Sequence, residues 1–327
     1  MTQGFFPILF VLPRGLADAV MASGLIARLH QEIPHARFTL VADTEAAPLF
    51  VDTPSLEEVV VVEGAGLSAW LPFWRRARAR RWGLVVDLRG SALHRFLNTR
   101  RRAILRPARR SQHRLLDLAS ALKLEEEPPA PHIFLSPETR IEAEPLTAGE
   151  GPILALAPGA DWVGKAWPIE RYAQLAIRLL GEGGPMAGGR LMVLGGPRDV
   201  ELAHALRHVT PKDRFIDLVN KADLLTVQAC LGQVRLFVGN DTGLAQMAAA
   251  AGAPTLTLFG PSDEAVRAPW GPLSKTLRSA RDFAQIRQID PALNQSLCHM
   301  MDLGLDAVTA AAKDLLAETE NSLVRDL

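Results

Sequence analysis

The residues that could do chemistry sit in four loops, each at the point where an expected strand gives way to an expected helix. Residues 239–243, GNDTG, place Asp241 and Thr242 between two glycines and just ahead of a small-residue helix over 244–251. Glycine lets the backbone approach a ligand closely, and the first N–H groups of a helix lack intrahelical partners, so such a loop suits a phosphate. The same residues could equally cap the helix with no ligand present. Residues 157–168, APGADWVGKAWP, turn at Pro158 and Gly159 and carry Lys165, whose nearest acidic neighbour in the chain is Asp161. Turn, lysine and the helix start after Pro168 fall together, which favours an anionic ligand over a solvated lysine. Residues 195–201, GGPRDVE, offer Asp199 and Glu201, which could accept hydrogen bonds from ribose hydroxyls or simply favour a helix start. Residues 13–19, PRGLADA, put Asp18 at the start of the first helix, as an N-terminal charge or as a general base.

Equally informative is what the chain lacks. It has no G-x-x-x-x-G-K-[ST], G-x-S-x-G, H-E-x-x-H or C-x-x-C. The run Gly181–Gly184 follows a helix rather than a strand, so it is no dinucleotide fingerprint. There is no Asp-x-Asp pair to chelate a metal, so a ligand's negative charge would fall to Lys165, helix ends and arginine. Cys230 and Cys298 are far apart and offer neither a disulfide framework nor metal spacing.

The elements that must position these loops alternate. In the first half, strands are expected over 7–12, 37–41, 59–62, 84–88 and 103–105, with helices over 17–32, 45–51, 70–81 and 111–122. Residues 125–151, with five prolines and weak periodicity, read as a linker. A second alternating block has strands over 153–157, 191–194, 215–218, 236–238, 255–259 and 274–277. Its helices are expected over 169–180, 200–206 and 305–318. Short apolar runs bounded by Gly and Pro suit parallel strands covered on both faces. The fold class is α/β: two Rossmann-like, doubly wound parallel-sheet domains facing a central cleft, over 1–124 and 152–327, the last helix packing back on the first.

At 327 residues the chain is long for one core, and 48% apolar with 22% charged residues is ordinary for a globular α/β protein. The formal net charge of zero hides an asymmetry: residues 75–114 hold fourteen arginines, no lysine and the single acid Asp87. These could be solvated helix faces, or a surface for a phosphorylated glycolipid or anionic membrane. Nucleic acid fits less well, because interleaved aromatics are few and no module is recognisable. The N-terminus lacks the basic start and cleavage site of a signal peptide and reads as a buried strand.

Taken together, the loops resemble a known family. PGADWVGKAWP resembles the PGA-x-x-x-x-K-x-W-P signature of the family 9 glycosyltransferases, the ADP-heptose:lipopolysaccharide heptosyltransferases. GNDTGLAQMAAAAGAPTLTLFGPSD resembles their D-[ST]-G-x-x-H-x-A-x-A-x-x-x-P-x-x-x-L-F-G stretch. GGPRDVELA and CHMMDLGLDAVTAAAKDLL are similar to two further family segments. The resemblance implies a GT-B enzyme, inverting and metal-independent, needing no cofactor and moving a heptose or related sugar from an ADP-sugar to a lipopolysaccharide inner-core acceptor. By position, Asp18 would be the base and Lys165 would hold the donor diphosphate. Pro158, Gly159, Asp199, Glu201, Asp241, Thr242, Gly243 and Gln246 would line the donor site, while Arg14, Arg89 and Arg95 would meet the anionic acceptor. The resemblance implies a cytoplasmic protein, peripheral at the inner membrane of a Gram-negative bacterium. Two positions depart from the family: Ala17 stands where glycine is usual, and Gln246 where histidine is usual, keeping a hydrogen-bonding group without the charge. The alternative is a catalytically silent sugar-nucleotide-binding protein of the same fold. A sugar-nucleotide epimerase is opposed by the W-P signature.

Overall fold

A computed structural model describes residues 5–64, 67–106, 112–293 and 296–325, without the side chains of 67, 92–93 and 321–325. Ser111, the expected start of a helix, and Arg109 and Arg110 of the arginine-rich segment lie outside the described residues. The chain forms two compact units, Met1–Ser136 and Pro137–Leu327.

The first unit runs β1 (Phe6–Val11), α1 (Leu16–Glu32), β2 (Ala36–Ala42), β3 (Leu56–Val61), α2 (Leu67–Ala77), β4 (Trp82–Asp87), β5 (Thr99–Ile104) and α3 (Arg114–Ser120). Its five parallel strands lie in the order β3-β2-β1-β4-β5. Central β1 and β4 are apolar because helices cover both faces, whereas β3 (LEEVVV) and β5 (TRRRAI) carry charge at the sheet edges, where it discourages further strand pairing. The expected short helix over 45–51 is a 3-10 turn, Ala47–Phe50.

The second unit runs α4 (Pro137–Thr147), β6 (Ile153–Ala157), α5 (Ile169–Leu180), β7 (Arg190–Val193), α6 (Val200–Leu206), β8 (Phe215–Asp217), α7 (Leu224–Leu231), β9 (Leu236–Asn240), α8 (Gly243–Ala250), β10 (Thr255–Phe259), α9 (Glu264–Arg267), β11 (Ser274–Arg278), α10 (Phe283–Ile289) and α11 (Leu305–Arg325). Its parallel sheet is ordered β11-β10-β9-β6-β7-β8, the 3-2-1-4-5-6 pattern of dinucleotide-binding sheets. In both sheets the order reverses at one place, between β1 and β4 and between β6 and β9. Ligands of open α/β sheets bind at the carboxyl ends of the strands at such a point. Ala157 lies opposite Gly239 and Val11 opposite Asp87, so the loops leaving those strands start side by side.

The residues read as a linker, 125–151, are divided between the units. The first part is strapped across α1: His132 N–H donates to Ser23 Oγ at 2.8 Å, and Ser136 N–H to Asp52 Oδ2 at 2.7 Å. A Cβ on Gly24 would lie 2.2 Å from the Ala130 carbonyl oxygen, so only glycine permits this crossing. The second part forms α4, which packs on α7. Its buried residues, Thr139 and Ala143, are small, which explains why no apolar period marked the helix. At the other end α11 extends past the expected stop at 318 and packs on α5 and on β9, β10 and β11 of its own unit, burying Val308, Ala312, Leu315 and Leu316.

One buried side chain joins the loops at the second switch point. Asn240, the last residue of β9, is fully buried, and its amide uses its whole hydrogen-bonding capacity. Oδ1 accepts from Trp167 N–H (3.2 Å) and from the Tyr172 hydroxyl (3.1 Å). Nδ2 donates to the carbonyls of Pro158 (2.8 Å) and Gly159 (3.1 Å). Burial pushes the Tyr172 phenol well above its usual pKa, so it remains a donor. Trp167 is held in turn by Nε1–H to Leu303 O at 2.9 Å, and His299 N–H donates to Gly164 O at 3.1 Å.

Asn240→Ala would leave a phenol, an amide and two carbonyls without this buried partner. The expected cost is about 2–4 kcal/mol of unfolding free energy, read from urea titration, with little change in slope. Cys230 lies in α7 with its thiol pushed up to about 11 by burial, so roughly one part in a thousand is thiolate at pH 8. A thiol reagent at that pH should label Cys230 only after denaturant is added, as mass spectrometry of the peptides would show.

Candidate functional site

In the first unit, the loop between β1 and α1 is held from the neighbouring strand. Gly15 N–H donates to Asp43 Oδ2 at 2.7 Å, and the other oxygen of Asp43 accepts from Ala46 N–H at 3.0 Å. Gly15 adopts φ 77°, ψ 150°, a region open essentially to glycine, although a Cβ there would meet no atom within 4 Å. The requirement is conformational, and Gly15 meets it. Ala17, already inside α1, has no positive φ, so the missing family glycine takes nothing from the placement of Asp18.

Asp18 is buried in the first turn of α1, and Arg114, the first residue of α3, donates from Nε to its Oδ2 at 2.7 Å. The partners are 96 residues apart, and no sequence pattern connected them. Arg89 leaves the end of β4 and crosses the sheet edge, donating from Nε to Leu12 O and from Nη1 to Val62 O, both at 3.1 Å. It lies over the Trp70 ring at 5.5 Å, and its buried Nη2 has no partner. Burial lowers its pKa from the usual arginine value, against the pull of Asp43. Arg14, in the β1–α1 loop, and Arg95, in the 3-10 turn Ala92–Phe96, are exposed. Of the three arginines read as acceptor contacts, Arg89 is thus built into the strand ends, while Arg14 and Arg95 stand at the surface.

In the second unit, Lys165 closes a short 3-10 turn, Val163–Lys165, and its ammonium is 3.2 Å from both Asp161 Oδ2 and Asp241 Oδ2. The two acids differ. Asp161 is largely in water, whereas the Asp241 side chain is only 6% exposed and so fixes the lysine above the start of α8. Thr242 occupies the N-cap position of α8, yet its side chain makes no capping bond and its buried Oγ1 has no partner. One turn on, Gln246 is buried, with Nε2 donating to Arg267 O at 2.8 Å and Oε1 unpartnered. Ser262 Oγ, in the loop after β10, is likewise unpartnered. That loop is clamped by Arg278, which donates to Gly260 O at 2.8 Å and pairs with Glu264, Nε to Oε1, at 2.7 Å. The Arg278 pair holds the Glu264 carboxyl below its usual pKa.

Buried polar atoms are nearly always hydrogen-bonded, so the orphan Thr242 Oγ1 at this uncapped helix start and Gln246 Oε1 one turn on mark a place for a polar ligand. A cation and free backbone N–H groups at the same helix end suit an anion.

The remaining residues expected to line a donor site behave differently from one another. Asp199 caps its own 3-10 turn, Oδ2 accepting from Gly196 N–H at 2.8 Å. A Cβ on Gly159 would sit 2.5 Å from Asp199 Oδ1, so the Pro158–Gly159 turn packs directly on that carboxylate. Gly195 carries the same constraint. Glu201 points to solvent, 3.9 Å from His204, away from the cluster. Sequence reasoning named no role for Asn240, Ser262 or Arg114, although each stood in a segment already singled out: G-N-D-T-G, the stretch 239–263, and the arginine-rich residues 75–114. Among the described residues, no group of three or more His, Cys, Asp or Glu is placed to hold a metal ion, and no helix is long and apolar enough to cross a membrane.

Comparison with known proteins follows the same lines. The model of Glycosyltransferase family 9 (heptosyltransferase) matches residues 55–293. Lipooligosaccharide heptosyltransferase 2 of Haemophilus influenzae is 24% identical over 304 residues, covering 78% of this chain and 83% of that one. Among solved structures, the family 9 glycosyl transferase of Veillonella parvula superposes with a TM-score of 0.79 at 19% identity, over 97% of this chain and 99% of that one. The ADP-heptose lps heptosyltransferase II of E. coli gives 0.76 at 19% identity, over 96% and 100%. At such identities the superpositions speak for the fold alone, two parallel α/β sheets of GT-B type. The family match spans well over half the sequence: the chain belongs to glycosyltransferase family 9, and it is a glycosyltransferase.

Proposed function

We propose that the protein transfers a heptose, or a closely related sugar, from an ADP-sugar to a lipopolysaccharide inner-core acceptor, with inversion and without a metal. The reading rests chiefly on the start of α8, where Lys165, Asp241 and the unpartnered Thr242 Oγ1 and Gln246 Oε1 accompany an uncapped helix end. The substrate classes follow those of its relatives, a lipooligosaccharide heptosyltransferase and an ADP-heptose lps heptosyltransferase.

In this reaction Asp18 takes the proton from the acceptor hydroxyl as its oxygen attacks the anomeric carbon. The bond from that carbon to the diphosphate breaks on the opposite face, and ADP departs. Lys165 and the α8 N–H groups stabilise the charge gathering on the leaving diphosphate, which a metal does in other transferases. Arg114 holds the Asp18 carboxylate in one orientation and acts as a positioning residue. Asp241 would repel a phosphate; its task is to hold Lys165 and to accept from a sugar hydroxyl. Asp199 supports the Pro158–Gly159 turn and meets the ribose through its other oxygen. Arg89 offers its unpartnered Nη2 to an anionic acceptor group.

Calorimetric titration in chelator with ADP, UDP, GDP and CMP should give selective ADP binding, weakened roughly 10- to 100-fold by Lys165→Ala. Preference for another nucleotide would discard the ADP-sugar donor, and binding that requires added metal would discard the metal-free mechanism. Asp18→Asn should keep ADP affinity while lowering transfer by about 10²–10⁴-fold, the usual share of a general base. Wild-type protein that binds the donor but turns over no faster than the variant would favour the catalytically silent alternative.

A further inference from the structure

Lys165 is bracketed by a segment to which the transfer reaction gives no task, Cys298–Leu303 between α10 and α11. On one side of the lysine, His299 N–H donates to Gly164 O at 3.1 Å. On the other, the Cys298 thiol donates to Ala166 O at 3.2 Å. Further along, Leu303 O accepts from Trp167 Nε1–H, and Arg171 Nη1 donates to Met301 O at 2.9 Å and to Leu303 O at 2.7 Å. A 3-10 turn as short as Val163–Lys165 has weak internal hydrogen bonding, so these outside bonds decide where its backbone lies.

The bracket is itself held by a buried polar pair. His299 and Asp290, the residue that ends α10, are both buried, and His299 Nε2 lies 3.3 Å from Asp290 Oδ2. A carboxylate accepts, so Nε2 carries the proton of this bond. Among the described residues the other ring nitrogen, Nδ1, has no partner. Burying an imidazole with one nitrogen unsatisfied costs stability, and an apolar side chain in its place would avoid that cost. Packing alone therefore does not account for a histidine here. Its ring meets the Trp162 ring at 5.9 Å, and Trp162 lies on Gly164, where a Cβ would come within 2.0 Å of the indole. His299 thus reaches the turn that carries Lys165 twice, through its backbone N–H and through Trp162.

We propose that Asp290 and His299 are positioning residues for Lys165. The carboxylate fixes the imidazole, the imidazole fixes the backbone on either side of Gly164, and the ammonium is thereby kept over the start of α8. Both act through the turn and leave the ligand to the lysine. The inference rests on the reading of Lys165 as the group that holds the donor diphosphate.

Calorimetric titration of the full chain with ADP tests it through a double-mutant cycle. His299→Leu, which cannot bond Asp290, should weaken ADP about tenfold. Made on top of Lys165→Ala, the same change should alter affinity by less than about twofold, because the group it positions is gone. His299→Gln, whose amide can still donate to Asp290, should return affinity to within about threefold of the parent. Thermal melting shows which variants are folded. Should His299→Leu fail to fold, Asp290→Asn, of nearly the same shape, carries the test with about a threefold weakening that also vanishes on Lys165→Ala. Parent-like affinity in the folded variants, losses that add in full to that of Lys165→Ala, or a glutamine no better than leucine would each overturn the proposal. A Lys165 effect with no His299 or Asp290 effect removes this proposal alone. If ADP does not bind, or binds equally well to Lys165→Ala, the reading of Lys165 falls and this proposal falls with it.

Discussion

A single carboxamide holds the loops of the second unit's switch point in register. Asn240 ends β9 where the strand order reverses, and its four hydrogen bonds run to the turn after β6, to the backbone of Trp167 and to the phenol of Tyr172. The position excludes look-alikes. Aspartate would bring a buried charge and lose both donors, and leucine would orphan four partners. Only an amide supplies two donors and two acceptor sites at this buried position. Because the next residue is Asp241, whatever fixes Asn240 also fixes the carboxylate that holds Lys165. The ammonium at the α8 start is thus placed through a chain of contacts beginning in the core. This explains how a 3-10 turn of three residues can hold a lysine in a fixed place.

The first unit solves a similar problem with charge. Asp43, just past β2, grips the Gly15 amide and sets the entry angle of α1, so that Asp18 emerges in its first turn. Arg114 then holds the carboxylate from α3. Both units therefore present the groups proposed to do the chemistry at a switch point, on elements stiffened from a neighbouring strand or helix. Positioned groups of this kind need little reorganisation as charge develops, and that is the main source of electrostatic catalysis.

Much of this was legible in the sequence, for a physical reason. Strands covered on both faces must be short and apolar, so ILALA and FPILFV announce themselves, and glycine-bounded loops at their ends mark Lys165, Asp241 and Asp18. Contacts made across long separations leave no trace in spacing, which is why the Arg114 partner of Asp18 and the bonds of Asn240 appear only in the folded chain. Helix α4 was hidden because it buries threonine and alanine, and α7 because it is apolar on nearly every side. The roles of Asp199 and Glu201 could not be separated by type. One carboxylate folds back to cap its own turn, and the other, two residues on, faces water. Nor does spacing show that the positive φ ahead of Asp18 falls at Gly15 rather than at 17.

The most direct test of this account is a crystal structure of the protein with ADP. The diphosphate should lie against the first N–H groups of α8, about 3 Å from Lys165 Nζ, with Thr242 Oγ1 hydrogen-bonded and Asp161 displaced from the lysine. A diphosphate held elsewhere, with Lys165 still shared between Asp161 and Asp241, would contradict it.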